Sequence, residues 1–187
     1  MASIGHGACG RRTRTTSLAW AGFIADNAGI RPRGGTDGGF TMLVLIQRVT
    51  QADVRVDDQV VGAIGPGLLA LVGIQPGDGE PQVTRMAERL LGYRVFPDAC
   101  QKLNLSLADT GGGLLLISQF TLAADTRSGM RPGFSTAAPP ELAEPVFNRL
   151  LDTCRLRHPH GVETGRFGAH MVVSLVNDGP VTFLLQA

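Results

Sequence analysis

The sequence predicts a single α/β domain in which a mixed β-sheet or small barrel packs against two principal helices. Short apolar runs bounded by Gly, Pro and Asp are typical of strands. One segment repeats apolar residues at helical spacing, and another follows two prolines that suit a first helical turn. The length of 187 residues fits one ordinary domain with a single hydrophobic core.

The first half of the predicted domain is a β-meander followed by a helix. Its strands are expected at Leu43–Thr50, Val54–Asp57, Val60–Ile64 and Leu68–Ile74, with a tight turn at residues 65–67. The helix is expected over Gln82–Leu91 and ends at Gly92 as the C′ residue. Its apolar stripe is Val83, Met86, Ala87, Leu90 and Leu91. A short strand is expected at Tyr93–Phe96.

The second half begins with Gly113–Leu122, a continuous apolar run typical of a strand buried on both faces. The second helix is expected from about Pro139 to Arg157, capped by Ser135 or Thr136. Pro145 is unfavourable inside a helix, so the helix should start near Glu144 or bend there. The last strands are expected at about 162–164, 169–176 and 181–186.

Composition fits a folded protein without a membrane span. Hydrophobic residues make up 43% and charged residues 18%, as in globular domains. No apolar stretch approaches the roughly 18–20 residues that a membrane-spanning helix needs. Cys9, Cys100 and Cys154 are odd in number and scattered, which favours a reduced, cytoplasmic location over a disulfide framework.

The formal charge of +1 is unevenly divided along the chain. Five arginines and two aspartates give residues 1–41 a charge of +3, which leaves −2 for residues 42–187. Because nonspecific binding of nucleic acid depends on phosphate charge, a slightly acidic domain disfavours it. Recognition of one RNA terminus stays open. The arginines that could then hold phosphate are Arg48, Arg127, Arg131 and Arg166.

Residues 1–41 are predicted to be a disordered or non-native extension, because they contain nine glycines and no sustained helical or strand period. Three origins are considered: a targeting peptide, a non-native leader, and an upstream start codon whose true counterpart is Met42. We favour the third. The folded domain is therefore expected to comprise residues 42–187.

Ordinary hydrolase and metal constellations are not evident. The histidines His6, His158, His160 and His170 are not placed with a Gly-x-Ser-x-Gly motif, which disfavours a Ser-His-Asp triad. We interpret His158 and His160 as solvated loop residues, since no Cys or carboxylate cluster accompanies them. No metal and no cofactor are predicted.

Two short segments carry the functional signal, each following an apolar strand. Residues 118–122 read Ser-Gln-Phe-Thr-Leu, and residues 177–182 read Asn-Asp-Gly-Pro-Val-Thr. Together with Met42–Val49, they resemble the D-aminoacyl-tRNA (D-tyrosyl-tRNA) deacylases. The resemblance runs from Met42 to Ala187. It includes the segments 65–69, 91–96, 125–132 and 164–167.

Chemistry at residues 118–122 could use the backbone, because a chain leaving a buried strand can offer free N–H groups to an oxyanion. Thr121 is open to three interpretations: a nucleophile, a residue that orients water, or a strand residue with a satisfied hydroxyl. As a nucleophile it lacks an evident base. In the resembling family the free 2′-hydroxyl of the terminal adenosine is thought to assist hydrolysis. The site residues that the resemblance implies are Ser118, Gln119, Phe120 and Thr121.

The resemblance also implies how substrate is selected. Gly179 and Pro180 would form a cis pair that projects into the partner subunit's active site and excludes substituents on the L side of the α-carbon. Judged without the resemblance, the pair is a trans turn between two strands. Arg48 would hold this wedge, or is simply an exposed strand arginine. Met130, Arg131 and Phe134 would line the pocket for the terminal adenosine.

The function expected from the resemblance is hydrolysis of D-aminoacyl-tRNA, and also of mischarged glycyl-tRNA, by a homodimer with active sites at the subunit interface. The expected partner is the 3′-terminal adenosine of aminoacyl-tRNA. Two alternatives are retained: an editing domain of the same fold that removes a mischarged L-amino acid, and a non-catalytic module that binds tRNA ends.

Overall fold

The structure is a computed structural model, and it describes residues 42–187. The predictions made for residues 1–41 lie outside the described residues.

The domain is built on a six-stranded mixed sheet. Strand β1 (Leu43–Val56) has β8 (Val172–Gln186) along one side. On its other side β3 (Gly67–Gly73) and then β2 (Gln59–Ile64) pair antiparallel with it. Strands β6 (Gly113–Ser118) and β7 (Val162–Thr164) extend the sheet from β3 in parallel.

The sheet nearly closes into a barrel, because β2 approaches β7 at the far end of the strand order. A Cβ added at Gly62 would lie 2.7 Å from the carbonyl oxygen of Thr164. Only glycine permits so close an approach of two backbones. The predicted mixed sheet or small barrel is therefore confirmed.

The two principal helices are also confirmed. Helix α1 (Glu80–Gly92) buries all five residues of the predicted apolar stripe. Gly92 is the last helical residue and the extended Tyr93 is the C-cap, so the prediction of Gly92 as the C′ residue is wrong. The short strand begins only at Phe96: β4 (Phe96–Pro97) pairs with β5 (Leu103–Leu105). A one-turn helix, α2 (Leu107–Thr110), was not predicted.

Helix α3 (Pro140–Arg157) begins at the predicted prolines and continues through Pro145. Pro145 cannot donate to the carbonyl of Glu141, but Glu141 is exposed and water can serve that carbonyl. The predicted caps are wrong, because Pro139 is the N-cap and no side chain caps the helix. The Thr136 hydroxyl instead donates to the carbonyl of Ala123.

Two predicted strand boundaries are wrong in ways that bear on function. The strand predicted over Gly113–Leu122 ends at Ser118, and residues Phe120–Ala123 form a 3-10 helix. The two strands predicted at 169–176 and 181–186 are one strand, β8, because residues on both sides of Gly179 pair with β1. In the same way, the two strands predicted within residues 43–57 are the single strand β1.

The main core lies between the sheet and the helices α1 and α3. Its fully buried members include Met42, Val44, Leu68, Met86, Leu90, Leu114, Leu116 and Leu150. Within residues 42–187, no helix is long and apolar enough to cross a membrane.

Candidate active site

The end of β6 turns abruptly and exposes backbone donors. The Gln119 N–H donates to the carbonyl of Val72 at 2.7 Å, which is the last link between this segment and β3. The 3-10 helix then starts at Phe120. The first N–H groups of a helix have no intrahelical acceptor. Those of Phe120 and Thr121 have no acceptor elsewhere within residues 42–187.

Thr121 is exposed, and its hydroxyl oxygen accepts a hydrogen bond from the Gln119 side-chain amide. An amide N–H is a donor only, so Gln119 cannot remove the hydroxyl proton. No carboxylate or imidazole in the described part of the chain bonds to Thr121. The arrangement suits an oriented hydroxyl and gives a protein nucleophile no base.

A cavity of about 550 Å³ adjoins these donors. Ser118, Gln119 and Phe120 form one wall. The remaining lining is mostly apolar and comes from the end of β3, the start of α3 and the segments beside them: Val72, Ile74, Phe134, Ser135, Ala137, Ala138, Pro139, Pro140, Ala143, Phe167 and Gly168. Such a cavity accepts a flat or apolar group beside a few polar contacts.

Of the three residues expected to line an adenosine pocket, the structure places only Phe134 in this cavity. Its ring lies 5.3 Å from that of Phe120, centroid to centroid, with the planes tilted by 54°. Met130 and Arg131 are exposed and do not line this cavity, and their expected contact with adenosine stays a prediction. They lie outside the cavity because Asp125 and Gly133 pair with each other and turn the intervening loop outward.

Gly179 and Pro180 lie in a protrusion of β8. Asn177 is paired with Val49 and Thr182 with Gln47, so four residues of β8 stand opposite the single residue Arg48. A bulge normally adds one residue to a strand, whereas this one adds three. We call residues 178–181 the protrusion.

The Gly179–Pro180 peptide bond is cis, as the family resemblance implies and contrary to the trans turn expected without it. Gly179 has a φ of +156°, which disfavours residues with a Cβ. A Cβ at that position would lie 2.4 Å from the backbone nitrogen of Val181. Both members of the pair are exposed, so the tip presents the backbone of Gly179 and the ring of Pro180.

Arg48 anchors the protrusion. Its Nε donates to the carbonyl of Asp178 at 3.0 Å and lies 3.0 Å from that residue's carboxylate. Its Nη1 donates to the carbonyl of Val95 at 2.6 Å. Arg48 is only 9% exposed, so it is neither an exposed strand arginine nor available to phosphate.

The other arginines considered for phosphate are exposed. Arg127 forms two hydrogen bonds to Asp125, at 2.9 and 2.7 Å, which lower the pKa of that carboxyl well below its usual range. The charge of Arg127 is therefore partly compensated. Arg131 and Arg166 form no ion pair with the described residues.

His158 is buried, so its interpretation as a solvated loop residue is wrong. It is 2% exposed, and its Nε2 lies 2.7 Å from the carbonyl oxygen of Gly112. Because a carbonyl only accepts, Nε2 carries the proton. The ring ties the end of α3 to the start of β6 and stands apart from the site. Among residues 42–187, no group of three or more metal-ligating side chains is close enough to hold an ion.

Comparison with known proteins shows the family of the chain. The model of the family D-Tyr-tRNA(Tyr) deacylase matches residues 45–186, three quarters of the chain. The chain belongs to this family. A D-aminoacyl-tRNA deacylase of Stenotrophomonas maltophilia (strain K279a) is 77% identical over 145 residues, which are 78% of this chain and 99% of the relative. A D-aminoacyl-tRNA deacylase of Xanthomonas campestris pv. campestris (strain 8004) is 75% identical over the same coverage.

Two solved structures share the architecture of this deacylase-family domain. The c-Myc DNA unwinding element binding protein is 37% identical, with a TM-score of 0.74 over 78% of this chain and 98% of that one. A probable eukaryotic D-amino acid tRNA deacylase is 15% identical, with a TM-score of 0.71 over 79% of this chain and 100% of that one. At that identity the second likeness shows the fold alone.

Three features of this deacylase-family site were not expected from the sequence. Phe167 lines the cavity, whereas the sequence indicates only that it belongs to the family-like segment 164–167. The Val95 carbonyl is an acceptor for Arg48, which no local pattern signals. Asn177 bonds both to Val181 and to Thr182. The cue for Asn177 was available, because Asn is a frequent partner of backbone groups in turns.

Proposed function

We propose that the protein hydrolyses the ester bond of D-aminoacyl-tRNA and releases free D-amino acid and tRNA. The observation that carries this proposal is that the N–H groups of Phe120 and Thr121 have no acceptor within residues 42–187 and lie beside a cavity of about 550 Å³. Oxyanion donors next to a substrate-sized pocket are what acyl transfer requires. Membership of the deacylase family agrees with it.

In this mechanism the backbone N–H groups stabilise the oxyanion, and a hydroxyl of the substrate transfers the protons. Water attacks the ester carbonyl carbon, and the bond from that carbon to the 3′-oxygen breaks. The free 2′-hydroxyl takes the proton of the attacking water and passes one to the leaving 3′-oxygen. Thr121, oriented by Gln119, positions water and forms no acyl-enzyme.

The terminal adenosine occupies the apolar cavity. Phe120 and Phe134 provide an aromatic wall, and stacking of a base on such rings is worth about 1–3 kcal/mol. Of the exposed arginines considered for phosphate, Arg131 and Arg166 then contact the phosphates on the 5′ side of this adenosine, since neither is held by a described carboxylate. Recognition is thereby limited to one end of the tRNA.

The protrusion acts on the site of a second subunit. Val72 pairs with both Val44 of β1 and Ser118 of β6, whereas the protrusion stands opposite Arg48. Three strand spacings make about 14 Å and four residues of β1 about 13 Å, so about 20 Å of sheet separates the protrusion from its own Ser118. Because this path along the sheet is long, we assign the wedge to the active site of another copy.

Other features of β8 support a homodimer. Within the described chain its only partner is β1, so one edge of this 15-residue strand is unpaired. Val172, Leu175, Val176 and Leu184 are exposed on it. A long exposed edge with apolar residues normally indicates association. Sedimentation of the purified protein should give the mass of two chains, and Leu184→Glu should shift it toward one.

Chirality is then selected by exclusion. A rigid backbone wedge admits the hydrogen of a D residue or of glycine on the L side, and rejects any carbon there. The site accepts D residues of many sizes, hydrolyses mischarged glycyl-tRNA, and rejects even L-alanine. An L-editing domain would need no wedge. A pure tRNA-end binder would need no oxyanion donors.

The proposal is tested by deacylation of D-tyrosyl-, L-tyrosyl-, glycyl- and L-alanyl-tRNA by the purified protein. Release of D-tyrosine and glycine, with the L esters spared, is expected. Preference for an L ester would favour the editing alternative. Binding of tRNA without release of any amino acid would favour the binding module.

The substrate-assisted step has its own test. A tRNA ending in 2′-deoxyadenosine should be hydrolysed far more slowly than its ribose counterpart, while Thr121→Ser should cost little. Capture of an acyl group on Thr121 would overturn this step and leave the overall reaction intact.

A further inference from the structure

The protrusion needs support that the sheet does not provide. Four residues of β8 stand opposite Arg48 alone, so the protrusion loses the regular hydrogen bonds of an antiparallel ladder. Arg48 holds its first residue, Asp178, through the carbonyl and the carboxylate. The last residue of the protrusion, Val181, is held by a different side chain.

Asn177 holds the end at Val181. Its Oδ1 accepts from the Val181 N–H at 2.9 Å, and its Nδ2 donates toward the Val181 carbonyl at 3.3 Å. One primary amide thus pairs with both backbone groups of a single residue, as a neighbouring strand would. The same Nδ2 lies 3.3 Å from the Thr182 hydroxyl oxygen.

The position of Val181 in turn sets the position of Gly179. Only Pro180 separates the two residues along the chain, and Val181 leaves no room for a Cβ on Gly179. Movement of Val181 therefore carries the tip of the protrusion with it. Asn177 and Arg48 clamp the two ends, and the tip between them has little freedom.

We propose that Asn177 is a positioning residue that sets how far Gly179 and Pro180 project, and thereby the stereochemical selectivity of the enzyme. The inference rests on the proposed function, in which the protrusion excludes L substituents. Asn177 itself touches no substrate, because its amide is engaged with Val181 and Thr182. It acts through the backbone that it holds.

The chemistry of the amide predicts a graded series of variants. Asn177→Ala removes both the donor and the acceptor. Asn177→Asp keeps the acceptor for the Val181 N–H, loses the donor, and sets a negative oxygen beside the Val181 carbonyl. Asn148→Ala is the matched control, because Asn148 is exposed on α3, remote in sequence from the protrusion.

Two measurements test the proposal. Hydrogen exchange of the Val181 amide should be at least tenfold faster in Asn177→Ala than in the wild type, intermediate in Asn177→Asp, and unchanged in Asn148→Ala. The ratio of kcat/KM for D-tyrosyl-tRNA to that for L-tyrosyl-tRNA should fall at least tenfold in Asn177→Ala. A residue that only stabilised the fold would lower both kcat/KM values together and leave the ratio alone.

The outcomes are distinguishable. An unchanged D-to-L ratio in a folded Asn177→Ala protein would overturn the proposal, as would unchanged exchange at Val181. If Asn177→Ala does not fold, the near-isosteric Asn177→Asp carries the same two tests. If the wild type hydrolyses no D-aminoacyl-tRNA, the proposed function fails, and exchange at Val181 still decides whether Asn177 positions the protrusion.

Discussion

Arg48 joins segments of the chain that are distant in sequence, since its two backbone acceptors belong to Val95 and Asp178. Arg48→Ala leaves the buried Val95 carbonyl and the part-buried Asp178 carbonyl without this donor, and we expect the free energy of unfolding to fall by about 2–4 kcal/mol. The D-to-L selectivity should fall as well, because the first residue of the protrusion is released. Denaturant unfolding and the deacylation assay provide the measurements.

Arg85→Ala is the matched control for this loss of charge. Among the described residues Arg85 pairs only with Glu88, at 3.6 Å, and both side chains are more than half exposed. Such a pair contributes about 0–1 kcal/mol. An equal loss of stability in the two variants would mean that Arg48 has no special role.

Gly179 should tolerate no side chain. Gly179→Ala would force Val181 to move, because the new Cβ would lie 2.4 Å from its backbone nitrogen. We expect deacylation of D-tyrosyl-tRNA or its stereoselectivity to fall at least tenfold, and the melting temperature to fall as well, because half-buried Val181 packs against the main core. Gly65→Ala is the control, because a Cβ there meets no atom within 4 Å.

At the level of single residues, the sequence indicates which segments form the candidate site. It does not indicate the contacts that each residue makes there. Ser118–Thr121 could be singled out because polar residues follow an apolar run. The burial of Arg48 could not, because it depends on carbonyls 47 and 130 residues away. The exposure of Met130 likewise follows from a loop closed by the pairing of Asp125 with Gly133.

Helix α3 carries a buried thiol that makes stability depend on pH. Burial raises the pKa of Cys154 to about 12, whereas an unfolded cysteine titrates near about 8.5. The folded state thus holds the thiol proton more tightly than the unfolded state. The contribution of Cys154 to the free energy of unfolding is therefore complete below about pH 8.5 and is lost as pH rises toward 12. Between about pH 9.5 and 10.5, the free energy of unfolding should fall by about 1 kcal/mol more than in Cys154→Ala.

Urea denaturation of both proteins at the two pH values measures this difference. Exposed Cys100 provides an internal comparison. A thiol reagent at pH 8 should modify it readily in the native protein and leave Cys154 intact. Equal pH dependence of the wild type and Cys154→Ala would show that Cys154 does not titrate as described.

Helices with a regular apolar period could be predicted from the sequence. Strands whose extent depends on pairing with a distant strand could not. The stripe of α1 repeats every three or four residues, so its buried face follows from the sequence. The continuity of β8 depends on β1, which pairs with residues before and after the protrusion. The end of β6 at Ser118 was missed because Phe120–Ala123 is as apolar as the strand before it.

For the whole molecule, we predict that residues 42–187 suffice for folding and activity. The Met42 N–H and C=O pair with Ala187 at 3.1 Å each, and Met42 is fully buried, so the sheet is complete at this residue. A chain starting at Met42 should match the full chain in melting temperature, mass of the assembly and kcat/KM. A higher KM with weaker salt dependence in the shorter chain would instead assign the arginines of residues 1–41 to tRNA binding.

The bulged register of β8 determines how the proposed wedge is joined to the sheet. Removing three residues, 179–181, would set Thr182 two positions after Asn177, the spacing of their partners Gln47 and Val49 in β1. Such a shortened chain would restore the register between Asn177 and Thr182, and it would lose both the proposed wedge and the core contact of Val181. The proposed selectivity would thus reside in a three-residue insertion within an otherwise ordinary strand, tied to the main core through Val181.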